Sequence, residues 1–263
     1  MTSSVVLSRQ DSTLIVTLNR PERRNAFDLE MRKSIADAVF VARDTDDVKV
    51  VVLTGAGGTF CAGGDLKSLG EKVRPVLACR DRIRKLHPWF REMVNLEKPV
   101  IAAVEGAAFG AGFNLALASD FVIASSDARF CAVFARIGLV PDLGGLYLLP
   151  RIVGLQRAKE IVFTAREVKA KEALALGIAY AVCPKGKALE EALALAARLA
   201  DAPTQALGMA KNILNRSFNL DQDTLAELES YAQALAMHTE YHRDAVGRFL
   251  AKKPLAFNWD KPG

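Results

Sequence analysis

The sequence has few of the features that betray a function at once. Its four cysteines, Cys61, Cys79, Cys131 and Cys183, are scattered and show no paired metal-ligand spacing. That pattern points to reduced thiols in a cytoplasmic protein, and neither a disulfide framework nor a metal site is expected. No apolar run reaches the roughly 18 residues a membrane-spanning helix needs. The longest, residues 50–53 and 100–104, have the length of strands. The first ten residues lack a basic stretch followed by an apolar one, so no secretory signal is expected. There is no Gly-Lys-Ser/Thr phosphate loop and no Gly-x-Gly-x-x-Gly dinucleotide fingerprint. His87 lies far from His238 and His242, and no Ser or Cys motif partners any of them, which leaves a nucleophilic hydrolase without support. Lys and Arg are dispersed rather than blocked, so nucleic acid is not an expected partner. Internal repeats, low-complexity tails and linker-like stretches are all missing.

What is present is enough for a substantial core. Of 263 residues, 51% are hydrophobic and 25% charged, and the net charge is +5. Such a length allows one large domain or two smaller ones. A mildly basic surface, with pI about 9.0, suits an anionic ligand such as a polyphosphate cofactor. Residues 4–8 and 13–18 read as two strands around a turn, and residues 29–42 as a helix with Asp28 at its N-cap. Residues 48–53, 99–104 and 121–124 read as buried strands. Residues 66–94 are polar and mostly helical, bent or interrupted at Pro75 and Pro88. From about Ile152 onward the pattern reads as helical alone, with apolar spacing in residues 170–176, 188–199, 204–214 and 220–235. The stripe Leu225, Leu228, Tyr231, Leu235 predicts core or subunit packing. The fold class expected is therefore α/β with a helical C-terminal portion.

Two glycine-rich segments stand out, each directly after a buried strand. One is Gly57-Gly-Thr-Phe-Cys-Ala-Gly-Gly-Asp-Leu66. The other is Val104-Glu-Gly-Ala-Ala-Phe-Gly-Ala-Gly-Phe-Asn-Leu-Ala116, which enters a helix. Glycine leaves peptide N–H groups unshielded, and a helix start presents free N–H groups. Two such loops facing one cavity can hold a carbonyl oxygen between them. Tight turns alone also explain glycines.

Phe60-Cys-Ala-Gly-Gly-Asp-Leu66 and Gly106-Ala-Ala-Phe-Gly-Ala-Gly-Phe-Asn-Leu115 resemble the two oxyanion loops of the crotonase (enoyl-CoA hydratase/isomerase) superfamily. Asn19-Arg-Pro-Glu-Arg-Arg-Asn-Ala-Phe27 resembles its N-terminal signature. Ile137-Gly-Leu-Val-Pro-Asp-Leu-Gly-Gly145 with Leu149-Pro-Arg-Ile-Val-Gly154 resembles its third. The resemblance runs from about residue 5 to 255. It implies a spiral of ββα units over residues 1–200. It also implies a helical region, residues 201–263, that drives trimer or dimer-of-trimers formation and helps to cover the acyl-CoA pocket. The ligand implied is an acyl-CoA thioester, coenzyme A being part of the substrate, with no permanently bound cofactor and no metal. By motif position the oxyanion donors are the N–H groups of Gly64 and Ala111; Ala111 is also simply small enough for helix packing. Ala62, Leu66 and Phe134 fall at substrate positions. Arg23 and Arg24 fall near the CoA phosphates, with solvated surface charge as the alternative reading. Phe249 and Lys252 match C-terminal CoA contacts, although Lys253 beside Lys252 leaves the choice of lysine open.

Hydratases of this family hold water with two glutamates, but those positions are Asn114 and Phe134 here. Asn114 can hydrogen-bond a water or ligand yet cannot act as a base. Asp142 stands where members that isomerise dienoyl-CoA double bonds, or ring-epoxide thioesters of phenylacetate degradation, carry an aspartate. An N-cap on the helix after Pro141 is its other reading. A single base among apolar groups suits a proton shift, with Phe134, Leu139, Leu143 and Phe113 excluding water. Cys61 reads as a small loop residue rather than a nucleophile, and Asp65 as the cap of the next helix. The expectation is an acyl-CoA isomerase with Asp142 as acid/base and Asn114 beside it. The alternatives are an enoyl-CoA hydratase, a 4-chlorobenzoyl-CoA-dehalogenase-like enzyme, or a non-catalytic CoA- or RNA-binding protein.

Overall fold

The computed structural model describes residues 3–66 and 75–260. The chain opens with an antiparallel hairpin, β1 (Val5–Gln10) and β2 (Thr13–Leu18). Helix α1 (Leu29–Asp44) follows, and the Asp28 carboxylate accepts from the Met31 N–H at 2.8 Å, as the N-cap pattern predicts. Met31, Ile35, Ala38, Val39 and Ala42 form its buried face. Strands β3 (Val50–Gly55), β4 (Val100–Val104) and β6 (Phe121–Ser125) then add in parallel to β2. Alternation along these strands decides what each face meets. Val51, Leu53, Ala102 and Val104 face the main core with α1. Val50, Val52, Ile101, Ala103 and Ile123 face a second core, roofed by Ala188, Ala192, Leu195, Ala196 and Leu199 of α8 (Ala188–Ala200). With both faces covered the strands carry continuous apolar runs, which is why they were readable in the sequence.

Between β4 and β6 the chain steps out to a second sheet. β5 (Ala107–Phe109), β7 (Arg129–Cys131) and β8 (Glu167–Lys169) form it in that order, the first pair parallel and the second antiparallel. β9 (Ala181–Cys183) then returns to close the first sheet beside β6. The expected purely helical stretch after Ile152 is thereby corrected, since β8 and β9 both lie within it. They are only three residues long, too short to show periodicity, and their neighbours' backbones define them.

The helices between these strands are short. α2 (Val76–Arg84) and α3 (His87–Val94) precede β4, and α4 (Ala111–Leu117) leads into β6. α5 (Gly145–Val153), α6 (Leu155–Thr164) and α7 (Ala170–Ala175) follow β7 and β8. Part of the helical reading of residues 66–94, and the helix that Asp65 was expected to cap, fall on residues 67–74, outside the described residues. α9 (Thr204–Leu214) is tied to the body by Lys211, whose ammonium meets the Asp120 carboxylate at 2.7 Å. α10 (Gln222–Met237) and α11 (Glu240–Leu250) contain no buried residue. Leu225 and Leu228 are half-buried, while Tyr231 and Leu235 are exposed, so this stripe is not part of the chain's own core. No helix among the described residues is long and apolar enough to cross a membrane.

One buried polar residue fixes the N-terminal segment to the first glycine loop. Asn25 is fully buried with φ of 55°, in the left-handed region. Its side-chain amide donates to the carbonyls of Ala56 (2.9 Å) and Thr59 (2.6 Å), and its oxygen accepts from the Arg20 N–H at 2.8 Å. Asn25→Ala would leave three main-chain groups without this partner and place alanine in a left-handed conformation. We expect a loss of about 3 kcal/mol or more in unfolding free energy, measurable by urea denaturation.

Candidate active site

The site is built where the two glycine segments run side by side. The Phe60 N–H donates to the Glu105 carbonyl (2.8 Å), the Cys61 N–H to Ala107 (2.9 Å) and the Phe109 N–H back to Cys61 (2.9 Å). These bonds form a parallel bridge between Cys61 and Ala108. Carried forward in the same register, the pairing sets Gly64 opposite Ala111, the first residue of α4. Close approach makes two glycines obligatory. A Cβ on Gly63, whose φ is +96°, would lie 2.8 Å from the Phe109 carbonyl oxygen. One on Gly112 would lie 2.5 Å from the carbonyl oxygen of Cys61. The N–H groups of Gly64 and Ala111 donate to no protein acceptor among the described residues. Two main-chain donors on adjoining loops are thus available to a ligand.

The first loop is braced from behind by the N-terminal signature. The Ala62 N–H donates to the Arg24 carbonyl (2.9 Å), Phe27 N–H to Gly63 (2.7 Å) and Asp65 N–H to Phe27 (2.9 Å). Arg20 joins this brace, its guanidinium 2.9 Å from Asp28 and 3.5 Å from Asp65. Arg23 and Arg24 are exposed beside Ala62, and Leu66 is exposed at the loop's end. Cys61 is fully buried and its sulfur accepts from the Gly63 N–H at 3.4 Å. Burial pushes its thiol up to about 12, so no thiolate nucleophile forms there.

The second loop carries Asn114 and touches the segment that carries Asp142. Asn114 is buried, and its side-chain NH2 donates to the Asp142 main-chain carbonyl at 2.8 Å. That carbonyl also accepts the Gly145 N–H at 2.9 Å. A Cβ on Gly145 would come within 2.5 Å of the Asn114 amide oxygen, so the start of α5 is seated directly on Asn114. One N–H of the Asn114 amide is thus engaged on the Asp142 turn.

Asp142 does not cap α5. Gly144 occupies the N-cap position and no side chain bonds to the helix start, which removes the capping alternative. The Oδ1 atom of Asp142 is buried and has no hydrogen-bond partner among the described residues. Desolvation raises the affinity of this carboxyl for its proton above that of an ordinary aspartate. The positive charge of Arg32, the residue's own N–H and His87 oppose that rise without cancelling it. Leu143 and Phe134 are buried, the latter with its ring against Gly110, and Phe90 packs on Gly144. Two expected water-excluding groups lie elsewhere. Leu139 is half exposed, and Phe113 is deep in the core against Phe130, with ring centroids 5.6 Å apart. Glu105 holds the start of α8, accepting from the N–H groups of Gly186 (3.1 Å) and Ala188 (2.9 Å).

Phe249 and Lys252 stand exposed on and just beyond α11, which packs chiefly on α10. Among the described residues, no hydrogen bond or ion pair is seen between them and the second glycine loop. Arg32, conversely, escaped the sequence reading. A polar helix residue gives no sign that a neighbouring helix will bury it.

Adjoining main-chain donors near a half-buried carboxylate can hold a carbonyl oxygen while a proton is moved beside it. The sequence profile of the Enoyl-CoA hydratase/isomerase family matches residues 8–261. The chain is 37% identical to the 1,2-epoxyphenylacetyl-CoA isomerase of Escherichia coli (strain K12), covering 94% of this chain and 95% of that one. It is 33% identical to the short-chain-enoyl-CoA hydratase of Clostridium acetobutylicum, over 96% of this chain and 97% of the relative. Among solved structures, an enoyl-CoA hydratase/isomerase from Cupriavidus metallidurans CH34 superposes with a TM-score of 0.93. It shares 39% identity with this chain, and the match covers 98% of this chain and 97% of that one. The chain belongs to the enoyl-CoA hydratase/isomerase family, the crotonase superfamily that its glycine loops resemble.

The environment of Asp142 has a consequence for stability. Its proton affinity is raised by folding, so ionising it costs the native state free energy. That cost is fully present above the raised pKa and vanishes once pH falls below the ordinary aspartate value. Asp142→Asn, which cannot ionise, is therefore expected to raise the melting temperature at pH 8. The gain should shrink as the scans are repeated toward pH 4. A variant less stable than the native protein at pH 8 would contradict this account.

Proposed function

We propose that the protein is a cytoplasmic acyl-CoA isomerase in which Asp142 moves the proton and the Gly64 and Ala111 N–H groups hold the thioester oxygen. The observation that carries this reading is the state of Asp142. Asp142 is half-buried, its Oδ1 atom is buried with no hydrogen-bond partner among the described residues, and the other two acid/base positions hold Asn114 and Phe134. The similarity to a 1,2-epoxyphenylacetyl-CoA isomerase supports the same branch and extends the candidate substrates to ring-epoxide thioesters.

For a 3-enoyl-CoA the step is a 1,3-proton shift. The Asp142 carboxylate takes a proton from the carbon next to the thioester carbonyl. The released electron pair moves toward that carbonyl, and the negative charge settles on its oxygen between the two N–H groups. The protonated Asp142 then gives the proton to the γ-carbon as the double bond moves into conjugation. Atoms and electrons balance with no bound cofactor, coenzyme A entering only as part of the substrate. A raised proton affinity suits a group that must both take and return a proton near neutral pH. Asn114 sets the Asp142 backbone through its 2.8 Å bond and so acts as a positioning residue.

Asp142→Asn should retain the fold and acyl-CoA affinity yet lose double-bond isomerisation by a factor of about 10²–10⁴. Asn114→Ala should be milder. The native enzyme should hydrate a 2-enoyl-CoA poorly, because no second carboxylate grips the water. Isomerisation and hydration measured separately, in native and both variant proteins, provide the test. Efficient native hydration, or full isomerase activity in Asp142→Asn, would return the chain to the hydratase reading.

We also propose that α10 and α11 form a trimer contact. They bury nothing within the chain while exposing Tyr231, Leu235, Phe249 and Leu250. Light scattering should give a mass that is a multiple of three subunits. A monomer at micromolar concentration would exclude this assembly.

A further inference from the structure

A cavity of about 620 Å³ opens between α1, α2 and the start of α3. Four cations line it: Arg32 and Lys33 from α1, Arg82 from α2 and Lys85 just after it. Asp81, also on its wall, lies 4.0 Å from Arg84. The remaining wall is apolar, with Leu29 and Trp89 among its residues.

Arg32, on the wall of this cavity, also lies near enough to Asp142 for their charges to influence each other. Its Nε and Nη1 atoms are buried and meet no acceptor among the described residues. Among the described residues, the carboxylates near enough to influence it are Asp142 and Asp28. Asp28 is already engaged, accepting from the Met31 N–H at 2.8 Å and pairing with Arg20 at 2.9 Å. Asp142 does not reach it by a hydrogen bond or ion pair. Burial and the nearby charge of Arg82 both work against the positive charge on Arg32. A buried guanidinium in that position strongly favours an anionic partner.

We propose that this cavity receives the distal end of the acyl chain and that Arg32 binds a carboxylate there, so that the preferred substrates are CoA thioesters of dicarboxylic acids. The proposal rests on the acyl-CoA reading given above. Asp142 addresses the carbons next to the thioester, and the acyl chain is the part of the ligand that continues from those carbons. Leu29 and Trp89 suit its methylene groups, and the buried fork of Arg32 suits its end. A phosphate of coenzyme A offers the same oxyanion chemistry, and the comparison below separates the two sources.

Calorimetry on the full-length protein, at one fixed salt concentration, would compare coenzyme A, hexanoyl-CoA and adipoyl-CoA. Adipoyl-CoA should bind about 10- to 100-fold more tightly than hexanoyl-CoA, the usual worth of a hydrogen-bonded charge pair. Arg32→Met should abolish that difference while leaving hexanoyl-CoA affinity nearly unchanged, and Arg32→Lys should keep part of it. Equal binding of the two thioesters by the native protein would overturn the proposal without any variant being needed. A uniform loss in Arg32→Met for all three ligands would assign Arg32 to a CoA phosphate and also overturn it. Failure of every thioester to bind would defeat the acyl-CoA reading itself, and this proposal with it.

Discussion

The site depends on how closely two stretches of backbone approach each other. The Cys61–Ala108 bridge brings the glycine loops into contact at main-chain distance, with no side chain between them at Gly63 or Gly112. Once that pairing is made, the positions of the Gly64 and Ala111 N–H groups follow from register. The rest of the local structure preserves it. Asn25 and Arg24 hold the first loop from one side, and β7 holds β5 from the other. A donor pair fixed by backbone pairing needs little reorganisation when charge develops on an oxygen, which is the condition for strong electrostatic stabilisation in a dry site.

Asp142 and Arg32 are a complementary pair held apart. Both are half-buried, each has a buried polar atom with no hydrogen-bond partner among the described residues, and each biases the other's charge. A direct salt bridge would lower the proton affinity of Asp142. Separation keeps that affinity raised while the positive charge stays close enough to limit the rise. The price is two poorly satisfied polar groups in one region, a cost in stability that functional sites often carry.

The sequence made the frame legible where physical constraints were local. Residues 50–53 and 100–104 announced buried strands because helices cover both faces of the sheet. Asp28 announced a helix start because a cap acts over three residues. The glycine loops were visible because close approach leaves no other residue type. The three-residue strands β5, β7, β8 and β9 escaped notice because neighbouring backbones define them, not their own side chains. Asp142 was visible as a candidate base, but its capping alternative fell only when α5 was seen to start at Gly145. Asn114 was read as a ligand-facing amide, although its partner lies 28 residues away on another loop. Arg32 had no local signal at all, since its burial comes from helices that meet only in the folded chain.

Glu105 stands at the foot of the second loop yet accepts from the N–H groups of Gly186 and Ala188, at the head of the helix that roofs the sheet's other face. During synthesis both glycine loops emerge at least about 70 residues before that helix begins. Until it emerges, Val50, Val52, Ile101 and Ala103 have no cover and Glu105 lacks its helix partner. The second loop therefore gains its Glu105 anchor only from residues of the second half of the chain, although the loop itself belongs to the first half.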